Sequence, residues 1–187
     1  MQKMPQYGRV TDSIVKELEG IVGSENSTTR TEEIICYMRD ASPFTLRPDA
    51  IVRPTTTGQV AAVLELANRE RIPLTPRGAG TSAAGSPLPV LGGIVLDMYR
   101  MNKIISIDID NQMVSVEPGV VCDTLNDELL KYGYFFPPDP ASSPACTIGG
   151  MVGCNASGNK TIKYGPTRAF VLWLEVVLPT GEIISTG

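Results

Sequence analysis

Glycine, alanine and hydroxyl-bearing residues dominate the stretch TPRGAGTSAAGSPLP, residues 75–89. Such a loop can bind phosphate through backbone N–H groups, because glycine permits positive φ and lets the backbone approach a ligand closely. Thr81 and Ser82 would add hydroxyl donors, and the planar guanidinium of Arg77 suits a diphosphate. The stretch therefore predicts an anion-binding loop, with a glycine-rich surface turn as the alternative.

A second loop of related composition is PDPASSPACTIGGMVGCNASG, residues 138–158. It lies within residues 133–168, which are dense in Gly, Pro, Ser and Asn and indicate one long functional loop. A segment with a sheet-like pattern separates it from the first loop. The two loops are predicted to clamp one extended diphosphate from two sides, which favours a dinucleotide-sized ligand.

Two common phosphate motifs fit poorly. The first loop has Gly78-x-Gly80 with the next glycine at Gly85, and the SPLP that follows cannot begin a regular helix as a Rossmann motif requires. GCNASGNKT, residues 153–161, has one residue too many before its lysine for a Walker loop, and no apolar strand leads into it. A nicotinamide-type Rossmann fold and an NTPase are therefore disfavoured.

Composition excludes several other classes. The chain has 187 residues and no histidine, so a Ser/His/Asp or Cys/His apparatus cannot be assembled from it alone. Its four cysteines form no CxxC pair, so we expect free thiols and no metal site. A net charge of -4 does not suggest a nucleic-acid partner. Without a signal peptide or an apolar run of membrane-spanning length, we expect a cytoplasmic protein.

The elements that would position these loops follow from hydrophobic spacing. Residues 1–45 are predicted as an N-terminal helical segment, with two short helical patterns at residues 11–23 and 29–40 and Thr31 as an N-cap. Strand candidates DAIVRP and RIPLTP flank a helix capped by Thr57, which makes a parallel βαβ unit. The glycine-rich loop leaves the carboxyl end of its second strand, where open α/β sheets bind ligands.

Later elements are predicted to be more antiparallel. GGIVLDM is a strand candidate, and KIISIDID and MVSVEPG flank a turn as a hairpin. A helix is expected over residues 123–132, ended by Gly133. VLWLEVVLP and EIIST are the last two strand candidates, and the second of them lies at the chain end, which suggests a truncated domain.

An ordered set of motifs carries a family resemblance: PRGAGTSAAGSPLPVLGGIVLDMYRMNKI, VEPGV, FFPPDPASSPACTIGGMVGCNASG, KYGPTR and LEVVLPTGEIISTG. Together they resemble the FAD-binding domain of the p-cresol methylhydroxylase and vanillyl-alcohol oxidase (PCMH/VAO) superfamily, in the branch of the glycolate oxidase GlcD subunit and D-lactate dehydrogenase. The resemblance implies an α+β, two-lobed domain over residues 46–187. A small βαβ lobe would be followed by an incomplete second lobe of mostly antiparallel strands with helices.

The same resemblance implies the cofactor contacts. The FAD pyrophosphate would be wrapped by Arg77, Gly78, Ala79, Gly80, Thr81 and Ser82, with Gly85 and Ser86 completing the turn. The isoalloxazine and ribityl region would be lined by Pro138, Asp139, Ser142, Thr147, Ile148, Gly149 and Gly150. The second side would be closed by Asn155, Ser157, Gly158, Tyr164 and Gly165.

One position departs from relatives that bind FAD covalently. Those relatives have a histidine where this chain has Thr81, and a threonine cannot form that bond to the flavin ring. The resemblance therefore implies non-covalent FAD.

The activity implied is oxidation of a 2-hydroxy acid of the glycolate or D-lactate type to the 2-oxo acid, with hydride transfer to flavin N5. Members of the group are more than twice as long as this chain, so a substrate domain, the catalytic residues and any electron-acceptor subunit would lie outside it, and these residues alone would be inactive. Two alternatives stay open. One is a non-catalytic FAD-type binding or assembly module, and the other is a relative of the enolpyruvyl-sugar reductases.

Overall fold

A four-stranded mixed sheet organises the first half of the chain in the computed structural model, which describes residues 7–187. Its strands are β1 (Ser27–Thr28), β2 (Ala50–Val52), β3 (Leu74–Arg77) and β4 (Ile94–Asp97). The order across the sheet is β1-β2-β4-β3. Residues 1–6 of the predicted N-terminal segment lie outside the described residues.

Three of these strands are parallel, as the βαβ pattern predicts. Both β2 and β3 pair in parallel with β4, and Arg77 lies opposite Asp97 in the register. The carboxyl ends of β2, β3 and β4 therefore meet at one edge of the sheet. The loop that begins at Gly78 leaves the sheet at this edge.

Two helices cover one face of the sheet. They are α1 (Asp12–Val22) and α3 (Thr57–Arg69). Ile14 and Leu18 of α1 and Val63 and Leu66 of α3 are buried against the sheet residues of the same core. Burial at helical spacing explains why periodicity alone located both helices.

Two predicted N-caps were wrong by one residue. The cap of α3 is Thr56, whose hydroxyl accepts a 3.2 Å hydrogen bond from the Gln59 amide, and Thr57 is the first helical residue. Likewise α2 (Thr31–Ile34) begins at Thr31 and follows an Arg30 cap. Adjacent threonines made the first choice ambiguous, because either hydroxyl could have served.

The opposite face of the sheet packs on the segment that begins with α2. Ile51 and Val95, which alternate with the first core along β2 and β4, contact Ile34 of that segment. Tyr37 and Met38 pack against the same cluster. The N-terminal segment thus supplies one strand to the sheet and covers part of both faces.

The second half contains two antiparallel hairpins and three helices. These are β5 (Ile104–Asp108), β6 (Met113–Val116), α4 (Cys122–Leu130), α5 (Ile148–Cys154), α6 (Thr161–Tyr164), β7 (Leu174–Val177) and β8 (Ile183–Thr186). The predicted β5–β6 hairpin is confirmed, and β7 pairs with β8 in the same way. Residues 133–168 are not one loop, since α5 and α6 lie within them. The glycines of α5 hid that helix from a propensity argument.

Candidate functional site

A run of free backbone donors lies in the loop after β3. The amide groups of Ala79, Gly80, Thr81 and Ser82 have no hydrogen-bond acceptor among the described residues, 7–187. All four residues are half-buried. Consecutive amides without internal partners form a concave donor site that suits an anion.

Gly80 explains why the loop requires glycine. Its φ is +70°, and a Cβ at this position would overlap the guanidinium of Arg77. Any other residue would meet both a backbone penalty and a clash. The bend at Gly80 therefore depends on glycine for two separate reasons.

Arg77 supports the loop from the sheet side. Its side chain is buried, and Nη2 donates a 2.8 Å hydrogen bond to the carbonyl of Arg39 while Nη1 lies 3.4 Å from the carbonyl of Tyr37. The guanidinium also lies 5.4 Å from the Tyr37 ring centroid. Burial lowers the pKa of Arg77 despite the nearby Asp97 carboxylate. The sequence suggested a diphosphate contact for this side chain, and in the structure its donors bind backbone carbonyls.

The structure brings the two glycine-rich loops together at Gly78. A Cβ there would overlap the hydroxyl of Thr147 and lie 3.7 Å from Cα of Gly150. Thr147 is buried and caps α5, with its hydroxyl 3.3 Å from the Gly150 amide. An isolated antiparallel bridge also joins Thr147 to Val121.

The first three amides of α5 all have hydrogen-bond acceptors within the protein. The Ile148 amide donates to Val120, the Gly149 amide to Pro118, and the Gly150 amide to Thr147. A Cβ at Gly149 would overlap Pro118. These three amides are therefore not available to a ligand, unlike those of residues 79–82.

A cavity of about 430 Å³ opens at this edge of the sheet. Three predicted residues, Arg77, Gly78 and Ala79, contribute to its wall. The wall also contains residues that sequence reasoning missed, namely Cys36, Tyr37, Asp97, Tyr99, Pro144 and Ala145. Asp97 could have been found, because it ends a parallel strand. Cys36 and Tyr37 carried no signal, since they come from a distant segment.

A partly buried polar network extends from two residues of this wall, Tyr37 and Asp97. Arg53 donates a 2.8 Å hydrogen bond to Glu33 and lies 3.9 Å from a carboxylate oxygen of Asp97. The hydrogen bond from Arg53 lowers the pKa of Glu33. Burial, followed by the hydrogen bond to Asp97, raises the pKa of Tyr37. Asp97 also accepts the Tyr99 amide at 3.0 Å, so the carboxylate is satisfied on both oxygens.

The predicted residues from Asn155 to Gly165 do not line this cavity. Asn155 is the left-handed cap of α5, with φ +47°, and its side chain accepts the Arg168 amide at 3.0 Å. Gly158 packs on the Asp139 backbone so closely that a Cβ would overlap it. Tyr164 makes an edge contact with Phe135, at 5.8 Å between centroids. The contacts of these residues lie within the second half of the chain.

The remaining predicted residues hold turns. Asp139 accepts the Lys160 amide at 2.9 Å, and the Ser142 carbonyl accepts the Cys146 amide at 2.8 Å. Pro138 is buried, whereas Ser86 and Ser157 are exposed and Gly165 has φ +91°.

Two buried thiols face each other beside Thr147. Cys122 and Cys146 flank the Val121–Thr147 bridge, and the Cys122 amide donates to the Cys146 carbonyl at 3.0 Å. The Cys122 thiol donates to the Pro138 carbonyl at 3.8 Å, and its proximity to Cys146 lowers the pKa of Cys146 to about 7. The proximity of Cys146, together with burial, raises the pKa of Cys122.

Neither a metal-binding cluster nor a membrane-spanning helix occurs within residues 7–187. No group of three or more His, Cys, Asp or Glu side chains is arranged to hold a metal ion there. No helix in that range is both long and apolar enough to cross a bilayer.

Comparisons with known proteins identify the family of this chain. A family model described as an FAD binding domain matches residues 48–187. The glycolate oxidase subunit GlcD of Bacillus subtilis (strain 168) is 37% identical over 179 residues, which is 95% of this chain and 38% of that protein. The D-lactate dehydrogenase of Anaerostipes hadrus is 38% identical, over 97% of this chain and 38% of that protein. The chain thus spans less than two fifths of the length of these relatives.

A solved structure gives the same result at the level of the fold. The crystal structure of p-cresol methylhydroxylase with substrate bound superposes with a TM-score of 0.80 at 28% identity, over 92% of this chain and 34% of that one. The α+β, two-lobed PCMH/VAO-type architecture implied by the resemblance is confirmed. The family model matches most of this chain. The chain therefore belongs to the FAD-binding domain family of FAD-linked oxidoreductases.

Proposed function

We propose that this chain is the FAD-binding part of an oxidoreductase that converts a 2-hydroxy acid of the glycolate or D-lactate type into the 2-oxo acid. The two relatives, a glycolate oxidase subunit and a D-lactate dehydrogenase, indicate the substrate class. The residues that bind the substrate would lie in the part of the relatives that this chain does not span. Any electron-acceptor subunit would be a separate chain. The chain's own role is to bind and orient the cofactor.

One observation carries the cofactor role. Four consecutive amides, from Ala79 to Ser82, lack partners among residues 7–187 and lie at the carboxyl edge of the parallel strands. A pyrophosphate accepts N–H groups on several oxygens, so it fits a donor run that the protein leaves unused. The crowding at Gly78 and Gly80 fits the same group, because backbone without Cβ atoms lets a ligand come close.

The hydroxyls of Thr81 and Ser82 would add two donors to this run. Arg77 would act indirectly, because its guanidinium holds the carbonyls of Tyr37 and Arg39 beneath the loop. Thr147 and Gly150 would limit the space on the other side of Gly78. These residues bind and exclude water, while bound FAD would supply the hydride-accepting centre.

The absence of histidine fits this division of roles. Proton abstraction from a hydroxy acid requires a base near the substrate, and this sequence contains no histidine to act as one. We place the proton-accepting group in the part of the relatives that this chain does not span. FAD binding without turnover is the expected behaviour of residues 1–187.

The first experiment is titration of the purified chain with FAD, followed by flavin fluorescence and calorimetry. We expect saturable binding with one FAD per chain. FMN, which lacks the pyrophosphate bridge and the adenylate, should bind at least about tenfold more weakly, since it cannot span the donor run. Equal affinity for FMN and FAD would contradict the assigned role of the loop.

The second experiment separates cofactor binding from catalysis. The FAD-loaded chain is mixed with glycolate or D-lactate without oxygen, and the flavin absorbance is followed. We expect no bleaching by this chain and bleaching by a protein that has the full length of the relatives. Bleaching by residues 1–187 alone would refute the placement of the catalytic groups elsewhere.

A further inference from the structure

We propose that residues Tyr37–Ser42, here called the strap, hold the FAD-binding loop in its open shape, with Asp40 as the positioning residue. The inference rests on the proposed function of the loop and adds a role for a segment outside it. The matched family model begins at residue 48, so it does not include the strap.

Asp40 ties the strap to the far end of the loop. One carboxylate oxygen accepts the Gly85 amide at 3.0 Å, and the other accepts the Ser42 amide at 2.8 Å. Burial raises the pKa of Asp40, but the hydrogen bonds from Ser42 and Gly85 outweigh it and leave the pKa below its usual value. Gly85 has φ +77°, so this bond fixes a residue with wide conformational freedom.

Two further contacts complete the attachment. The Ala41 amide donates to the Ser82 carbonyl at 2.9 Å, directly beside the run of free amides. At the near end, Arg77 donates to the Arg39 carbonyl at 2.8 Å and lies against the Tyr37 ring. The strap therefore forms hydrogen bonds with both ends of the loop.

The contacts are distributed in a way that favours binding. Between the two attachments, the amides of Ala79, Gly80, Thr81 and Ser82 remain free among the described residues. The strap thus orders the backbone without using the donors that a pyrophosphate needs. Ordering a loop before its ligand arrives lowers the entropic cost of binding.

The first test needs no cofactor. Asp40→Ala removes both carboxylate contacts, and hydrogen exchange is measured on the FAD-free chain at the Ala41 and Leu88 amides, which donate to the Ser82 and Gly85 carbonyls of the loop. Asp49→Ala is the matched control, because Asp49 accepts the Gly93 amide at 2.7 Å and Gly93 also has φ +77°. We expect exchange of the Ala41 and Leu88 amides to accelerate at least about tenfold in Asp40→Ala and to match wild type in Asp49→Ala.

The second test measures FAD affinity in the same proteins. We expect Asp40→Ala to raise the Kd for FAD about tenfold or more, Asp40→Asn to give a smaller increase because its amide oxygen still accepts a hydrogen bond, and Asp49→Ala to match wild type. If the Asp40 charge only repelled the pyrophosphate, both Asp40 variants would bind FAD more tightly, and that result would overturn the proposal.

The two tests can fail separately. Wild-type exchange rates at the Ala41 and Leu88 amides in Asp40→Ala would refute the strap, whatever the chain does with FAD. A wild-type chain that binds no FAD would refute the proposed function instead. Asp40→Ala that exchanges faster yet binds FAD as wild type does would show that the strap orders the loop without serving the cofactor, which also overturns the proposal.

Discussion

The Tyr37 hydroxyl donates a 2.6 Å hydrogen bond to a carboxylate oxygen of Asp97, across 60 positions of sequence. Asp97 is the last residue of β4, and Tyr37 belongs to the N-terminal segment that packs on the sheet. Arg53 donates to the same hydroxyl at 3.3 Å. The hydrogen bond between Tyr37 and Asp97 thus joins the N-terminal segment to the edge of the sheet where the loop after β3 begins.

Replacement of Tyr37 by Phe should destabilise the protein. The variant leaves one oxygen of the buried Asp97 without its shortest partner, so we expect the free energy of unfolding to fall by about 1–3 kcal/mol. Urea denaturation measures the difference. Tyr132→Phe is the control, because Tyr132 is exposed and should change stability by less than about 0.5 kcal/mol. Equal effects of the two variants would mean that the Asp97 contact contributes no stability.

The same tyrosine predicts a loss of stability at alkaline pH. Burial raises the pKa of Tyr37 in the folded state, so the unfolded chain loses this proton at about pH 10 while the folded chain keeps it. The contribution is complete below about pH 10 and is lost as the pH rises through the folded value. Denaturation between pH 9 and about pH 11 should show a shallower decline in Tyr37→Phe than in wild type.

Replacement of Gly80 by Ala should reduce FAD affinity. The added methyl group overlaps the Arg77 guanidinium and forces the loop out of its bend, so we expect the Kd to rise by at least about tenfold. Gly133→Ala is a close match, with φ +79° and nothing within 4 Å of the new Cβ. Both variants should lose about 1 kcal/mol of stability from positive φ, whereas only Gly80→Ala should lose affinity. An affinity loss in both would point to a global effect.

FAD bound by this chain should be released by acid precipitation. Thr81 stands where covalently linked relatives carry histidine, and a threonine hydroxyl does not form that bond to the flavin ring. The supernatant should contain all of the flavin absorbance, and the washed pellet should show no flavin fluorescence. Flavin that stays with the denatured chain would refute non-covalent binding.

The Cys122–Cys146 pair predicts a stability change near neutral pH. The proximity of the Cys122 thiol lowers the pKa of Cys146 to about 7, whereas an unfolded cysteine titrates near about 8.5. The Cys146 contribution is therefore complete by about pH 8.5 and is lost as the pH falls through about 7, by at most about 2 kcal/mol. Above about pH 8.5 the raised pKa of Cys122 acts in the opposite direction, so the gain is measured below that pH. Urea denaturation at several pH values, with thiolate absorbance as a second readout, measures it.

Variants of the pair test the cause of this shift. Cys122→Ala removes the neighbouring thiol that lowers the pKa of Cys146. That pKa should therefore rise, and the gain in stability between pH 7 and about pH 8.5 should disappear. Cys154→Ala removes an exposed thiol of the same region and should leave the pH dependence unchanged. A pH dependence that survives in Cys122→Ala would assign the titration to another group.

Local patterns predicted much of the fold. Apolar spacing located α1 and α3, and alternation located the β5–β6 hairpin, because each of these signals comes from neighbours in sequence. The helix α5 was missed, because its glycines favour loop conformations and its stability comes from Thr147 and from packing of Met151. A propensity argument does not include such tertiary support.

One property of the loop after β3 followed from the residue types alone. Glycines with flanking hydroxyls predicted free backbone donors, and the missing histidine excluded a familiar class of catalytic site, because both depend on residue type alone. The partners of that loop depended on the tertiary structure. Strand order β1-β2-β4-β3 places Asp97 beside Arg77, and the N-terminal segment then brings Asp40 to Gly85. Such contacts join residues far apart in the chain, so only the packing of the sheet between them decides which ones form.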